Sequence, residues 1–158
     1  MANTFIQLYV HIIYSTKGRE KIFPKKHKDE IQKYITGIIQ KRGHKLIVIN
    51  NMPDHIHIFI GLNPGQAISD LVRDIKQNSS KFIKKKRMLI ENFAWQEGYE
   101  AFSYFHSQID EVVKYIQGVE YCKFALKVYL CLIHQYIFDI FNHKVLYSTS
   151  KKSGRASS

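Results

Sequence analysis

A chain of 158 residues suits one domain around one core, and a hydrophobic content of 45% is enough to build it, which excludes an intrinsically disordered chain. The formal charge of +11 says little about fold but points to an anionic partner, either nucleic acid or an acidic membrane surface. No apolar run reaches the length of a membrane span; the nearest, Val128 to Phe141, carries His134, Gln135 and Asp139.

Met1 to Tyr14 is apolar but lacks a basic leader and a small-residue cleavage site, so it reads as a strand and not a signal peptide. Within it, Phe5 to Ser15 is rich in β-branched and aromatic residues, and Lys17-Gly18-Arg19 ends the run. Ile31, Tyr34, Ile35, Ile38 and Ile39 recur at helical spacing, with Gly43 as the stop. Lys45 to Asn51 and His55 to Leu62 form a hairpin across Asn51-Met52-Pro53-Asp54. Ile68, Leu71, Val72, Ile75, Phe82 and Ile83 mark a second helix. Phe93 to Phe105 reads as a fourth strand with Gly98 at a turn or bulge. Ser107 opens a third helix, with Asp110 spaced as in a capping box.

The order β-α-β-β-α-β plus a helix predicts an α+β fold: a split βαβ (ferredoxin-like or RRM-like) antiparallel sheet with helices on one face, followed by a C-terminal helix that bears Tyr115. The opposite sheet face is expected to be free for binding. One domain is expected over residues 5–117, then a divergent segment at 118–147 and a disordered basic tail at 148–158. Cys122 and Cys131 lack a Cys-x-x-Cys spacing, so reduced thiols in a cytoplasmic protein are the expectation.

Two side chains stand out for chemistry. In Pro53-Asp54-His55-Ile56-His57-Ile58-Phe59-Ile60, the strand period of two sends His55 and His57 to one face and Ile56, Ile58 and Ile60 to the other. Two imidazoles so placed can hold one divalent cation, although a half-buried strand with a histidine-bearing polar face is the plainer reading of the motif alone. Tyr115 lies about 110° from the centre of the stripe made by Ile109, Val112, Val113 and Ile116. It sits on a flank of that helix, where a tyrosine is ordinarily packing material with its hydroxyl at the surface.

Five segments together carry a family resemblance: His11-Ile12-Ile13-Tyr14-Ser15-Thr16-Lys17, Pro53-Asp54-His55-Ile56-His57, Ile75-Lys76-Gln77-Asn78-Ser79-Ser80, Trp95-Gln96-Glu97-Gly98-Tyr99-Glu100-Ala101-Phe102-Ser103, and Val112-Val113-Lys114-Tyr115-Ile116. In this order they resemble the HUH single-tyrosine transposases of the insertion-sequence-200/605 type, over roughly three quarters of the chain. The resemblance implies cleavage and rejoining of single-stranded DNA with hairpin ends. It implies His55 and His57 as ligands of Mg²⁺ or Mn²⁺, and Tyr115 as the nucleophile that forms a 5′-phosphotyrosine and frees a 3′-OH. It also implies a homodimer in which the tyrosine helix of one protomer completes the site of the other.

The chain departs from the family pattern where a glutamine normally follows the tyrosine by four residues as a third ligand. Here that position is Val119, which cannot bind a metal. Gln117 points away from Tyr115, and Glu120 projects into the apolar stripe. Glu111, one turn before Tyr115, shares its face and is the candidate oxygen ligand. From Gly118 onward the resemblance lapses into the apolar stretch Tyr121 to Tyr147. A decayed member that binds DNA without cutting it is therefore a second reading, and an RNA-binding split-βαβ domain a third.

DNA contacts are expected from Lys76, Asn78 and Ser79 on the second helix, with Arg73 and Ser80, where small-residue packing is the alternative for the two serines, and from Lys84, Lys85, Lys86 and Arg87 at its end, where a solvated helix terminus is the alternative. Lys25, Lys26 and Lys28 read as a solvated face. Trp95, Tyr99 and Phe102 are either base-stacking platforms or sheet core, and His11 reads as a structural histidine.

Overall fold

The computed structural model describes residues 6–23, 25–88 and 93–118. Residues 119–158, including Val119 and both segments beyond 118, lie outside the described residues. The elements run β1 (Tyr9–Ser15), α1 (Lys28–Lys41), β2 (Lys45–Asn51), β3 (His55–Gly61), α2 (Ile68–Lys85), β4 (Glu100–Tyr104) and α3 (Ile109–Gly118). The four strands form one sheet in the order β2-β3-β1-β4, every neighbouring pair antiparallel. This is the split βαβ, α+β arrangement that the element order predicts.

Strand alternation divides the sheet chemically. Val10, Ile12 and Tyr14 of β1 and Ile56, Ile58 and Ile60 of β3 meet Ile31, Ile35 and Ile39 of α1 and Leu71, Val72, Ile75 and Ile83 of α2 in one buried cluster. The periodicities of three and four in the two helices thus fix which sheet face they cover. On the other face, Val48 and Phe59 pack with Val112 and Ile116 of α3, joined at their margin by Tyr9, Ile47, Tyr104, Ile109 and Val113. This second face is not left open, as the sequence alone suggests: α3 folds back over it. The buried amide of Asn50 on β2 secures that fold-back, donating from Nδ2 to the Ile116 carbonyl at 2.7 Å.

Local signals mostly act as read. Gly43 ends α1 at φ +73, with the His44 N–H bonding to Ile39 and the Gly43 N–H to Gln40, a paired closure that needs a left-handed residue. A Cβ at Gly43 would also stand 3.0 Å from the Asn63 amide. The same closure ends α2, but there the left-handed residue is Arg87 at φ 51, a position that glycine would occupy without strain. Two readings need correction. β4 is shorter than the aromatic run implies: Trp95 makes only an isolated bridge to Thr16, and a loop through Gly98 at φ +75 precedes the strand. The approach to α3 is closed not by Ser107 and Asp110 but by Gln108, whose Oε1 accepts the Phe105 N–H at 2.9 Å ahead of a short 3-10 turn.

Candidate active site

The register places the polar residues of the second face in rows. His57 lies between Ile13 of β1 and Asn50 of β2, and His55 pairs with Ser15. His11 pairs with Phe59 and so sits diagonally from His57 across the β1–β3 ladder, near enough for two rings to touch. The His11 and His57 rings are stacked, 5.1 Å between centroids, and His11 Nε2 lies 3.0 Å from His57 Nδ1. Both are buried, at 2% and 3% exposure. His55 is more open and meets His57 edge-on at 4.9 Å. Its Nδ1 lies 2.7 Å from the Asp54 carboxylate.

α3 brings the phenol to this group. Val112 and Ile116 bury the helix against Phe59 and Val48, which leaves Tyr115 on the flank, 38% exposed. The flank position is where helical geometry places it, and it faces the histidines. The Tyr115 ring centroid is 5.9 Å from that of His57, with the planes at 89°, and 6.3 Å from that of His11. The nucleophile candidate and the ligand candidate His57 therefore meet within one chain.

The other candidates are dispersed. Glu111 is exposed, and among the described residues no group of three or more His, Cys, Asp or Glu side chains gathers closely enough to hold a metal ion, so Glu111 is not brought to the histidine pair. Ser79 is fully buried, its hydroxyl donating to the Ile75 carbonyl at 2.6 Å and accepting Trp95 Nε1–H at 2.9 Å. A side chain with no exposed surface cannot contact DNA, so Ser79 is a core polar group here. Trp95 belongs to the core as well, packed among Tyr14, Phe23 and Phe93. Lys76 is committed to structure: its ammonium donates to the carbonyls of Gln96 (2.8 Å) and Gly98 and lies over the Tyr14 ring at 4.9 Å. Its partial burial lowers its pKa below the ordinary lysine value. These contacts tie the loop before β4 to α2, so Lys76 is a loop anchor more than a phosphate contact.

Asn78 donates to the Asp74 carbonyl at 2.8 Å and borders a cleft of about 590 Å³ between α1 and α2, lined also by Lys33, Tyr34, Lys41 and Arg42. That cleft is on the helices of the apolar face, not beside Tyr115. Lys84, Lys85, Lys86 and Arg87 are exposed at the end of α2, with Lys86 3.2 Å from Glu30. Tyr99 is 39% exposed, and Phe102 is half-buried on the same sheet face as His11.

His11, Asn50 and Asp54 take parts at this site that the sequence did not assign to them. The signal for Asp54 is its place directly before His55. For His11 it is the alternation of β1, which sets it on the same face as Ile13 and Ser15 once β1 pairs with β3. Asn50 carries no such signal, because its partner is a backbone carbonyl 66 residues away.

The family model for IS200-like transposases matches residues 4–118. The chain belongs to that family. Among curated proteins it is similar to the ISDra2 transposase TnpA of Deinococcus radiodurans, 26% identical over 117 residues that cover 71% of this chain and 84% of the relative. Among solved structures, this IS200-like transposase resembles a protein from Deinococcus radiodurans R1 described as a transposase, with a TM-score of 0.61 and 21% identity, covering 74% of this chain and 94% of the other. It also resembles a REP-associated tyrosine transposase bound to a REP hairpin, with a TM-score of 0.57 and 16% identity over 77% of this chain and 73% of that one. At these identities the two structures support the fold, a four-stranded antiparallel sheet with helices. Among the described residues no helix of the transposase is long and apolar enough to cross a membrane.

Proposed function

We propose that this transposase cuts and rejoins single-stranded DNA through a covalent bond to Tyr115. The observation that carries the reading is the approach of the Tyr115 ring to His57, 5.9 Å between centroids, on a sheet face otherwise closed by α3. In the cleavage step the phenolic oxygen forms a bond to phosphorus as the bond from phosphorus to the 3′ oxygen breaks. The phenol proton passes to water, the leaving 3′ oxygen takes up a proton, and the 5′ phosphate stays on the protein. Reversal by another 3′-OH rejoins strands with no external energy source, because one phosphodiester replaces another.

The residues fit a divalent cation. His55 and His57 each have Nδ1 engaged, by Asp54 and His11, so Nε2 is the nitrogen through which each ring would hold the ion. Two imidazoles suit Mn²⁺ better than Mg²⁺, which prefers oxygen ligands. An ion held there would supply Lewis-acid polarisation of the scissile phosphate. Hairpin DNA is the natural substrate class in this reading, since a protein of the same fold binds a REP hairpin. The charge of +11 and the exposed Lys84, Lys85, Lys86 and Arg87 favour the phosphate backbone.

The dimer with shared sites is not needed to unite these groups, since Tyr115 stands beside its own chain's histidines. We therefore place the reaction within one chain. The test is a denaturing gel of the protein with labelled single-stranded hairpin oligonucleotides and Mn²⁺. A protein–DNA adduct that disappears in Tyr115→Phe is expected. Bound DNA without an adduct would favour the second reading, a binding protein that has lost cleavage, which Val119 in place of the family's glutamine would explain.

A further inference from the structure

His55, His57 and Tyr115 carry the cleavage step, and His11 enters it only as the partner of His57 Nδ1, a buried ring in contact with His57 and Tyr115. We propose that His11 is a positioning residue that fixes the tautomer of His57. The inference rests on the metal-site reading of the histidine pair. A separation of 3.0 Å between His11 Nε2 and His57 Nδ1 requires that one nitrogen donate and the other accept. If His11 donated, a neutral His57 would carry its own proton on Nε2, and no lone pair would remain there for a cation. If His57 donates from Nδ1, its Nε2 presents a lone pair.

His55 shows the second arrangement by a different partner. The Asp54 carboxylate, 2.7 Å from His55 Nδ1, accepts a proton and cannot donate one when ionised. His55 therefore donates from Nδ1 and presents Nε2. With His11 as acceptor, both rings of the pair present the same nitrogen, each held by a partner on its far side. The two partners differ in kind. Asp54 lies in the turn next to its histidine, half-exposed, whereas His11 comes from the neighbouring strand and is buried. The stacked rings restrict rotation of His57. The edge contact of His11 with the Tyr115 ring at 6.3 Å places this same residue against the nucleophile's side chain.

Two variants separate hydrogen bonding from packing. His11→Phe keeps a stacking ring but has no acceptor; His11→Gln offers an amide oxygen close to where Nε2 stands. Imidazole ¹⁵N spectra of the metal-free protein report the His57 tautomer directly, and calorimetric titration with Mn²⁺, without DNA, reports affinity. We expect His57 protonated at Nδ1 in the parent chain, a mixture of tautomers in His11→Phe with Mn²⁺ bound about 10- to 100-fold more weakly, and affinity within a few-fold of the parent in His11→Gln. A parent chain with His57 protonated at Nε2 would overturn the assignment. So would a folded His11→Phe with unchanged Mn²⁺ affinity, or a His11→Gln that loses as much as His11→Phe. Should His11→Phe not fold, the parent tautomer and His11→Gln decide. A parent chain that binds no Mn²⁺ counts against the metal-site reading, and the tautomer measurement still decides the role of His11.

Discussion

The two faces of this sheet are built from alternate residues of the same strands, yet they obey different rules. Beneath α1 and α2, Ile12, Ile56, Ile58 and Ile60 are all without exposed surface and carry no polar atoms beyond the backbone. On the face covered by α3, the corresponding strands offer His11, Asn50, His55 and His57 alongside Phe59 and Val48. The first face gains its stability from the removal of apolar area from water. The second keeps buried polar side chains whose hydrogen bonds orient one another, a costlier arrangement that is stable only while the partners remain paired. The strand period puts stability and chemistry one residue apart.

That contrast can be broken with one substitution on each face. Ile58→Ala removes a fully buried side chain from the first face, and a loss of about 2 to 5 kcal/mol in a urea unfolding curve is expected. Tyr115→Phe, a change on a partly exposed flank of the second face, should leave stability within about 0.5 kcal/mol while abolishing adduct formation. A Tyr115→Phe protein that unfolds, or an Ile58→Ala protein of unchanged stability, would erase the division of labour.

Ser79 and Tyr14 are polar intrusions on the apolar face, and they sharpen the comparison. Ser79→Ala leaves the buried Trp95 Nε1–H without its acceptor, so a loss of about 1 to 3 kcal/mol is expected by the same measurement, although only one oxygen is removed. Tyr14 behaves in the opposite sense. Among the described residues its buried hydroxyl has no hydrogen-bond partner, so Tyr14→Phe should be neutral or stabilising by about 1 kcal/mol. Burial raises the Tyr14 phenol far above the ordinary tyrosine range, and raises that of Tyr104 too. The folded chain then holds a proton that the unfolded chain releases above about pH 10, so stability is full below that pH and falls as pH rises beyond it. Tyr14→Phe should reduce the fall between about pH 9 and 11 by about 1.4 kcal/mol in total, measured as unfolding free energy.

Much of this was legible in advance, and for identifiable reasons. The helical spacing of Ile31, Ile35 and Ile39 and the alternation through Ile56, Ile58 and Ile60 specify the first face, because apolar period is a local property. His55 and His57 share a face for the same reason. Ser79 falls four residues from both Ile75 and Ile83, so helical geometry alone marks it as buried, whatever its chemistry suggests. Lys76 could not be read so easily, since its partners are carbonyls of a loop 20 and 22 residues away. The return of α3 onto β2 depends on Asn50 and Ile116, and the pairing of His11 with His57 depends on the β1–β3 register. Both are long-range facts with no local periodicity to announce them.

The most direct test of the account is the proximity of the phenol to the histidine pair within one chain. With 3-fluorotyrosine incorporated and the protein held dilute enough to be monomeric, Mn²⁺ should broaden the ¹⁹F resonance of Tyr115 far more than that of Tyr34, which packs against Phe82 on the helices of the opposite face. His55→Ala with His57→Ala should remove the effect. A Tyr115 resonance that stays as sharp as that of Tyr34 while Mn²⁺ is bound would contradict the convergence on which the account stands.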